Sequence, residues 1–407
     1  LLSSYANGIL AKGIILVKDI VIYIALIVAL VFSRKSYKLI YPDIFGLLYL
    51  FLLAVYLIAV GDASFFVNLV QFRQLTMPIV LYFLGRLLFI SELRIKTFLK
   101  FLVYVSIIAV LFGFLERFIL GDKFWINIGI QKFLSIKGMD AWAYGKGGLL
   151  GNFYSYDFYT IIGFSLRRMV SFVADPTLFG QFLVFPIMIV LFSNIFSSKL
   201  KKIFIVILLI GLVLTLSKGG MVSLTLAVIY KFLHSKYRVI GYALLIVFCM
   251  SIVSLLSNAT IFSSLPAHLN GLLHNVQIAL NNPFGLGLGQ AGNFSLLLSK
   301  DVAGVGESYI GMMIAQIGIF FVIFVLFILS LLRIYTKKGL IQQMHFKSLY
   351  DVVPATLTGI IFSSLMSESA ISFTSAGIFF LMMGIITTHM VNFGEIGENL
   401  DGTSNYI

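Results

Sequence analysis

The sequence predicts an all-α fold, a polytopic transmembrane bundle of about 11 to 12 spanning helices. Of the 407 residues, 60% are hydrophobic and only 11% are charged, whereas about a quarter of the residues in a soluble domain are charged. The mean hydropathy is +1.05. The net charge is +13, but the basic residues lie in small clusters between apolar runs. That pattern is typical of membrane topology, so we expect no nucleic-acid partner.

Eleven apolar segments are candidates for spanning helices, because each approaches the about 20 residues that cross a bilayer. They are residues 13–32, 44–60, 74–90, 98–120, 174–196, 203–217, 220–234, 239–257, 308–333, 352–369 and 371–392. The whole chain, residues 1–407, is expected to form a single integral membrane domain.

Basic residues set the predicted orientation. Five loops on one side of the segments hold Arg34, Lys35 and Lys38; Arg94, Lys96 and Lys100; Lys199, Lys201 and Lys202; Lys231, Lys236 and Arg238; and Arg333, Lys337, Lys338 and Lys347. Because Lys and Arg prefer cytoplasmic loops, this side faces the cytoplasm. Residue 1 then lies outside, so we expect a further helix upstream, which makes twelve.

Two long segments, residues 121–173 and 258–307, face the outer side in this topology. The first is rich in aromatic residues and glycine, so we expect it to lie on the bundle or at the membrane interface, with Trp125 and Trp142 as interfacial anchors. The polar tail, residues 393–407, is expected to be disordered in the cytoplasm.

The second outer segment contains a helix signal. Five apolar residues between Leu269 and Leu280 recur at helical spacing, which predicts a short amphipathic helix that stops at Asn281-Asn282-Pro283. The GLGLGQ stretch that follows lacks the GK[ST] ending and the strand-to-helix context of a nucleotide-binding loop.

The stretch LTLSKGGMVSL places Lys218, Gly219 and Gly220 between two short apolar segments. One interpretation is a lysine whose ammonium group reaches the membrane interface. The other is a functional site. Irregular backbone at membrane depth is tolerated only where it is buried in protein or lines a watery cavity, and a cation there indicates function.

The stretch RRMVSFVADPTLFGQFL contains a helix start and an arginine pair. Asp175 and Pro176 predict the cap and first turn of a helix. Arg167 and Arg168 precede it, and a guanidinium is suited to gripping phosphate oxygens. We assign both arginines to a diphosphate site, with lipid headgroup contact as the alternative interpretation.

Four further residues lie on the predicted outer face. Glu307 begins a helix, where it is either a carboxylate favoured by the helix dipole or a general base. Arg73 lies where the third segment meets the outer face, and snorkelling is its alternative interpretation. His268 and His274 are six residues apart without a carboxylate cluster, a pattern that does not favour a metal site.

Together these residues predict one chemistry. Arg73, Arg168 and Lys218 would hold a diphosphate and stabilise the charge that develops as it leaves. Glu307 would take the proton of an acceptor hydroxyl. The pattern therefore predicts a transferase with a lipid-diphosphate donor, and this chemistry requires neither a cofactor nor a metal.

Three elements, in their order and spacing, resemble the bacterial O-antigen ligase/polymerase family of integral membrane glycosyltransferases. They are RMVSFVADPTLFGQF, the [ST]-x-SKGG element at 215–220, and NNPFGLGLG followed by GESYIGMMIAQIGIF. The resemblance covers residues 70 to 390.

The resemblance implies a twelve-helix GT-C-like fold in the bacterial cytoplasmic (inner) membrane, with the active site on the extracytoplasmic face. It implies metal-independent, inverting transfer of glycan from an undecaprenyl-diphosphate carrier. The family's diphosphate-binding arginines correspond to Arg168 and, in the same role, to Arg73 and Lys218. His268 would contact the acceptor or serve as a second acid/base group.

Two departures separate the sequence from the ligase branch. That branch usually has Arg where this chain has Lys218, and a His-Asn pair where it has Glu307-Ser308. The chain is more similar to the polymerase branch, which joins repeat units into O-antigen, capsule or exopolysaccharide. The implied partners are the undecaprenyl-diphosphate-linked oligosaccharide and membrane lipid, with a chain-length regulator as an optional partner.

Two alternatives stay open. One is a ligase that moves finished glycan onto a lipid or protein acceptor. The other is a transporter or flippase, a class that tends to have broken helices at matching positions of its two halves. The sequence indicates one break, at 217–220, and this favours the enzyme.

Overall fold

The computed structural model describes residues 8–32, 38–60, 63–88, 91–131, 149, 151–157, 159–257, 264–292, 306–336 and 347–400. About 82% of these residues are helical. The strands among them, β1 (Tyr154–Ser155) and β2 (Leu166–Arg167), form one short antiparallel hairpin. The all-α fold class is therefore confirmed.

The α-helices are α1 (Gly8–Phe32), α2 (Tyr41–Ala59), α3 (Phe65–Leu87), α4 (Glu92–Leu115), α5 (Gly121–Asn127), α6 (Tyr159–Ile162), α7 (Pro176–Phe192), α8 (Ser198–Thr215), α9 (Lys218–Leu233), α10 (Arg238–Ser257), α11 (Ser264–Asn281), α12 (Tyr309–Ile317), α13 (Phe321–Thr336), α14 (Lys347–Ser364) and α15 (Phe373–Leu400). A π-helical turn (Glu116–Leu120) follows α4. Short 3-10 turns lie at Gly151–Phe153, Ser171–Val173, Gly318–Phe320 and Glu368–Ile371.

Each of the eleven predicted apolar segments contains helix. Four helical stretches are long and apolar enough to cross a membrane, as judged by length and composition: Tyr41–Ala59, Leu93–Asn127, Tyr309–Thr336 and Phe373–Asn392. The predicted amphipathic helix before Pro283 is present as α11.

Contacts at both ends of helix pairs fix the relative helix directions. Helices α7 and α9 are parallel, because Gly180 meets Gly220 near their starts and the rings of Phe192 and Phe232 lie 6.0 Å apart near their ends. This relation agrees with the alternating topology predicted from the basic loops.

Helices α2 and α13 are antiparallel. The Tyr49 and Phe324 ring centroids are 5.5 Å apart, and those of Tyr56 and Phe320 are 6.3 Å apart. The direction again agrees with the predicted alternation, so the order of the segments and the order of the contacts support the same topology.

Helices α3 and α15 are parallel, because Leu81 lies beside Gly377 and Arg86 Nη1 donates to Thr388 Oγ1 at 2.8 Å, and their backbones are in contact. A Cβ on Gly85 would lie 2.1 Å from the Leu381 carbonyl oxygen, and a Cβ on Gly384 would lie 2.1 Å from the Tyr82 carbonyl oxygen. Small residues at helix interfaces are what allows such close approach. This seam joins the first third of the chain to its last helix.

A second, small core lies in the first outer segment. Trp125, Phe153 and Val170 are buried in it, and the Trp125 indole donates to Oε2 of the fully buried Glu116 at 2.9 Å. The predicted role of Trp125 as an interfacial anchor is therefore wrong, since its ring and its N–H are both satisfied inside the protein. Trp142 lies outside the described residues.

The C-terminal end differs from the prediction. Helix α15 continues to Leu400, whereas we expected disorder from residue 393. Polar residues need not end a helix once it is nucleated by a packed apolar stretch. Residues 401–407 lie outside the described part of the chain.

Candidate active site

The helical path is interrupted between Thr215 and Lys218. Leu216 takes the left-handed conformation, with φ 49° and ψ 32°, and ends α8. Ser217 is extended and caps α9, because its Oγ accepts a hydrogen bond from the Gly220 amide at 3.2 Å. A serine cap satisfies one of the amides that has no partner in the first turn. The cap fixes Lys218 at the first position of α9.

The two glycines of the SKGG element let α9 approach α7 and α14. A Cβ on Gly220 would lie 2.7 Å from the Gly180 carbonyl carbon. A Cβ on Gly219 would lie 2.7 Å from Nε2 of Gln181, which donates to Ser363 Oγ at 2.6 Å. Ser363 donates in turn to the Gly219 carbonyl at 3.0 Å. The glycines therefore serve helix packing and hold the interruption in place.

Arg168 binds the carbonyl end of α8. Its Nε donates to the Thr215 carbonyl at 2.9 Å and its Nη2 to the Leu216 carbonyl at 3.2 Å. Its Nη1 donates to the Asn152 carbonyl at 3.3 Å. A cation at a helix C-terminus is favoured by the helix dipole, so the fold holds this guanidinium at the interruption.

Three carboxylates act on the charge of Arg168. Burial lowers the pKa of its guanidinium, and the negative charges of Asp175, Asp157 and Glu307 oppose that change. An arginine keeps its proton at neutral pH. The structure thus brings Arg168 and Glu307, 139 positions apart in the sequence, close enough for their charges to interact.

Lys218 is paired with Asp157 of the hairpin loop. The Lys218 Nζ lies 2.5 Å from Asp157 Oδ1, and the two side chains are 41% and 17% exposed. Asp157 Oδ2 accepts a hydrogen bond from Ser155 Oγ at 2.8 Å. The ammonium group is therefore at a partly open site and has an anionic neighbour.

Asp175 has the capping role that the sequence predicts. Its Oδ1 accepts hydrogen bonds from the amides of Thr177 and Leu178 at 2.8 and 2.9 Å. Its Oδ2 accepts one from Asn152 Nδ2 at 3.0 Å. This second contact ties the start of α7 to the segment whose carbonyl binds Arg168.

Glu307 precedes α12 and is exposed. The cap of α12 is the next residue, since Ser308 Oγ accepts from the Gly311 amide at 2.8 Å and donates to the Ser364 carbonyl at 3.4 Å. Because Ser308 satisfies the helix start, the Glu307 carboxylate is not needed as a cap. Its negative charge instead acts on Arg168, where it raises the pKa of the guanidinium.

Arg167 joins the hairpin to the bundle. Its Nε donates to Asp122 Oδ1 at 2.8 Å and its Nη2 to Glu116 Oε2 at 3.1 Å, and its guanidinium carbon lies 4.9 Å from the Phe153 ring centroid. These contacts show that the two neighbouring arginines have different roles. Arg167 holds the outer segment together, while Arg168 faces the interruption.

Arg73 is paired with α1. Its Nη1 lies 2.9 Å from Asp19 Oδ2. The next residue, Gln74, donates to Glu368 Oε1 at 2.8 Å. Arg73 is therefore not among the residues that the structure shows in contact with Arg168.

Glu368 is an acid that the sequence analysis did not single out. It is 6% exposed and lies in the 3-10 turn between α14 and α15. Its neighbour Ser367 is close to the interruption, since Ser367 Cβ would lie 3.5 Å from a Cβ on Gly219. An ionisable residue inside an apolar stretch is a signal for function, and Glu368 could have been identified from the sequence by this signal.

The GLGLGQ loop packs on α12 and α3. Leu286 and Gly287 donate backbone hydrogen bonds to the carbonyls of Ala315 and Gln316, both at 3.0 Å. The loop lies beside Gly318, which has φ 58° and breaks the helical path between α12 and α13. The spanning stretch predicted for 308–333 is present as Tyr309–Thr336, but Gly318 is a second interruption, so the expectation of one break in the chain is wrong.

His268 lies on the backbone of α11, and its side chain is outside the described residues. Within the described part of the chain, no group of three or more His, Cys, Asp and Glu side chains is placed to hold a metal ion.

Comparison with protein-family models and with curated proteins found no match to this chain. The resemblance to the O-antigen ligase/polymerase family therefore depends on the quoted motifs.

Proposed function

We propose that this chain is a membrane glycosyltransferase of the polysaccharide polymerase type. Its donor would be an undecaprenyl-diphosphate-linked oligosaccharide, and its acceptor the end sugar of a lipid-linked repeat unit. The observation that carries the proposal is the placement of Arg168, Lys218 and Glu307 around one helix interruption. The sequence separates these residues widely. Lys218 begins α9, Glu307 precedes α12, and Arg168 binds the carbonyl end of α8.

Two cations suit a diphosphate leaving group. Arg168 is fixed by the carbonyls of Thr215 and Leu216, and Lys218 is fixed by its position at the start of α9. Cations held in place before the reaction stabilise developing negative charge more than mobile ones, because no reorganisation is needed. The amide end of α9 adds a favourable dipole for an anion at the same place.

Glu307 suits the other half of the reaction. The acceptor hydroxyl would lose its proton to the Glu307 carboxylate while its oxygen attacks the anomeric carbon. The bond from that carbon to the diphosphate breaks, and the electron pair leaves with the undecaprenyl diphosphate. Attack from the face opposite the leaving group inverts the configuration. All atoms come from the two substrates, so no cofactor is required.

The predicted topology supports a site on the outer face. Helices α7, α9 and α12 begin at the cluster, and the basic loops lie at the opposite ends of the predicted segments. In a bacterium this arrangement corresponds to the extracytoplasmic side of the cytoplasmic membrane, where lipid-linked glycans are available.

Deletion of the gene tests the proposal. The surface glycan and the lipid-linked precursors would be separated on gels, with complementation by the wild-type chain and by Lys218→Ala. We expect the ladder to collapse to one repeat and the one-unit lipid-linked precursor to accumulate, with rescue by the wild type alone. Long polymer that stays on its carrier would indicate a ligase and would overturn the polymerase assignment.

A flippase for lipid-linked glycans is the second candidate. The observation in its favour is a second broken helix, at Gly318, in addition to the interruption at Leu216. Broken helices are a feature of transporters. In the gene deletion a flippase would leave the one-unit precursor on the cytoplasmic leaflet, protected from a glycosidase added outside the cell.

A further inference from the structure

The carboxylate of Asp157 occupies the place where a substrate anion would bind. It lies 2.5 Å from the ammonium of Lys218, which is the first residue of α9. Its charge also acts on Arg168. Both cations of the proposed diphosphate site therefore have the same protein carboxylate as a neighbour.

The hairpin holds this carboxylate in position. The backbones of Tyr154 and Ser155 pair with those of Arg167 and Leu166, and Ser155 Oγ donates to Asp157 Oδ2 at 2.8 Å. The pairing of Arg167 places Arg168 directly after the hairpin. The hairpin thus positions both Arg168, a cation of the site, and Asp157, an anion that repels the ligand of that site.

We propose that Asp157 is a positioning residue that competes with the diphosphate for Lys218 and thereby speeds release of the leaving group. The proposal rests on the proposed function, since it takes the ligand to be a diphosphate. When the donor binds, Lys218 exchanges the Asp157 carboxylate for phosphate oxygens. After transfer, Asp157 returns to Lys218 and weakens the hold on the undecaprenyl diphosphate.

The energies permit this exchange. Ion pairs that are partly exposed contribute at most about 1 kcal/mol, and the Lys218 side chain is 41% exposed. A diphosphate carries more negative charge than one carboxylate, so it can displace Asp157. The Asp157 carboxylate and the diphosphate repel each other, so each lowers the affinity of the other for Lys218. This effect is reciprocal, as it is for any two ligands that compete for one site.

Binding of inorganic pyrophosphate to the purified full-length chain in detergent tests the inference without any glycan substrate. The variants are Asp157→Asn, Lys218→Gln and the double variant. Asp122→Asn is the matched control, because Asp122 is a carboxylate of the same outer segment that pairs with Arg167. Titration calorimetry gives the affinities, and circular dichroism confirms that each variant is folded.

We expect Asp157→Asn to bind pyrophosphate up to about fivefold more tightly than the wild type. In the Lys218→Gln background the same substitution should have little effect, and Asp122→Asn should match the wild type. In the polymerase reaction, Asp157→Asn should lower both KM for the donor and kcat, because release becomes slow. A residue with a merely structural role would not lower KM.

Two results would overturn the inference, and they differ in what they leave standing. Equal or weaker binding by Asp157→Asn, with binding still dependent on Lys218, removes the competition and keeps the diphosphate site. An absence of pyrophosphate binding in both the wild type and Asp157→Asn removes the diphosphate site as well, and with it the proposed function.

Discussion

The Arg168 guanidinium donates a hydrogen bond to the carbonyl of Thr215 at 2.9 Å, three residues before Lys218. The contact joins the end of the first outer segment to the point where α8 stops. The negative end of the α8 dipole stabilises the Arg168 cation. The next helix, α9, starts with a second cation, Lys218. Two basic residues that would repel each other are thereby kept at one site.

Arg168→Lys should reduce polymer synthesis by about 100-fold, although it keeps the charge. An ammonium group cannot reproduce the fork that binds two carbonyls at once. Polymer length on gels and in vitro transfer rates measure the effect. Arg94→Lys, at an exposed position of α4, is the control and should behave as the wild type. Normal polymer with Arg168→Lys would show that charge alone is sufficient.

Glu307→Gln should lower the transfer rate by about 100-fold or more and leave the membrane level of the protein unchanged. The amide cannot accept the proton of the acceptor hydroxyl, but it has nearly the same shape. Asp351→Asn is the control, because Asp351 pairs with Lys231 far along α9 from Lys218. Near-wild-type rates with Glu307→Gln would shift the search for the base to the buried Glu368.

Gly220→Ala should destabilise the protein by about 1–3 kcal/mol, because the new methyl group has no space beside Gly180. Unfolding in detergent, followed by intrinsic fluorescence, gives the change in melting temperature. Gly377→Ala is the matched control. There a Cβ would approach only side-chain atoms, a Leu81 methyl group at 3.1 Å and the Phe373 ring at 3.3 Å, and a side chain can move where a backbone cannot. Equal effects of the two substitutions would contradict the close helix contact.

Glu116→Ala should destabilise the outer segment by about 3–5 kcal/mol, since it leaves the partly buried Arg167 without a main partner. Four donors meet this carboxylate, namely the amides of Val170 and Ser171, the Trp125 indole and Arg167. Quenching of Trp125 fluorescence by added iodide should increase. An unchanged quenching curve would mean that the small core survives without Glu116.

Residue patterns were sufficient to predict the helices. The charge of the loops predicted their alternating directions, and the parallel contacts of α7 with α9 and the antiparallel contacts of α2 with α13 agree. The reason is that burial of apolar stretches and the position of Lys and Arg are properties of short segments. They can be read without knowledge of the tertiary fold.

The pairings within the site could not be predicted in this way. Asp157 is one acid in an aromatic stretch, and its contact with Lys218 spans 61 positions of sequence. Glu116 and Arg167 had no local pattern that linked them. Such pairs depend on how the outer segment folds back on the bundle. For the same reason Trp125 was predicted at a membrane interface, while its actual partner is a buried carboxylate.

The seam between α3 and α15 has a consequence for biosynthesis. The backbone of α3 at Gly85 packs against the backbone of α15 at Gly384. About 300 residues of chain separate the two helices. At typical rates of synthesis α3 waits for roughly 15–60 s before its partner leaves the ribosome. During that time its glycine face and the Arg86–Asp43 ion pair lack the cover of the last helix. A nascent chain that stops before α15 is therefore open to proteolysis, and completion of translation is the step that closes the bundle.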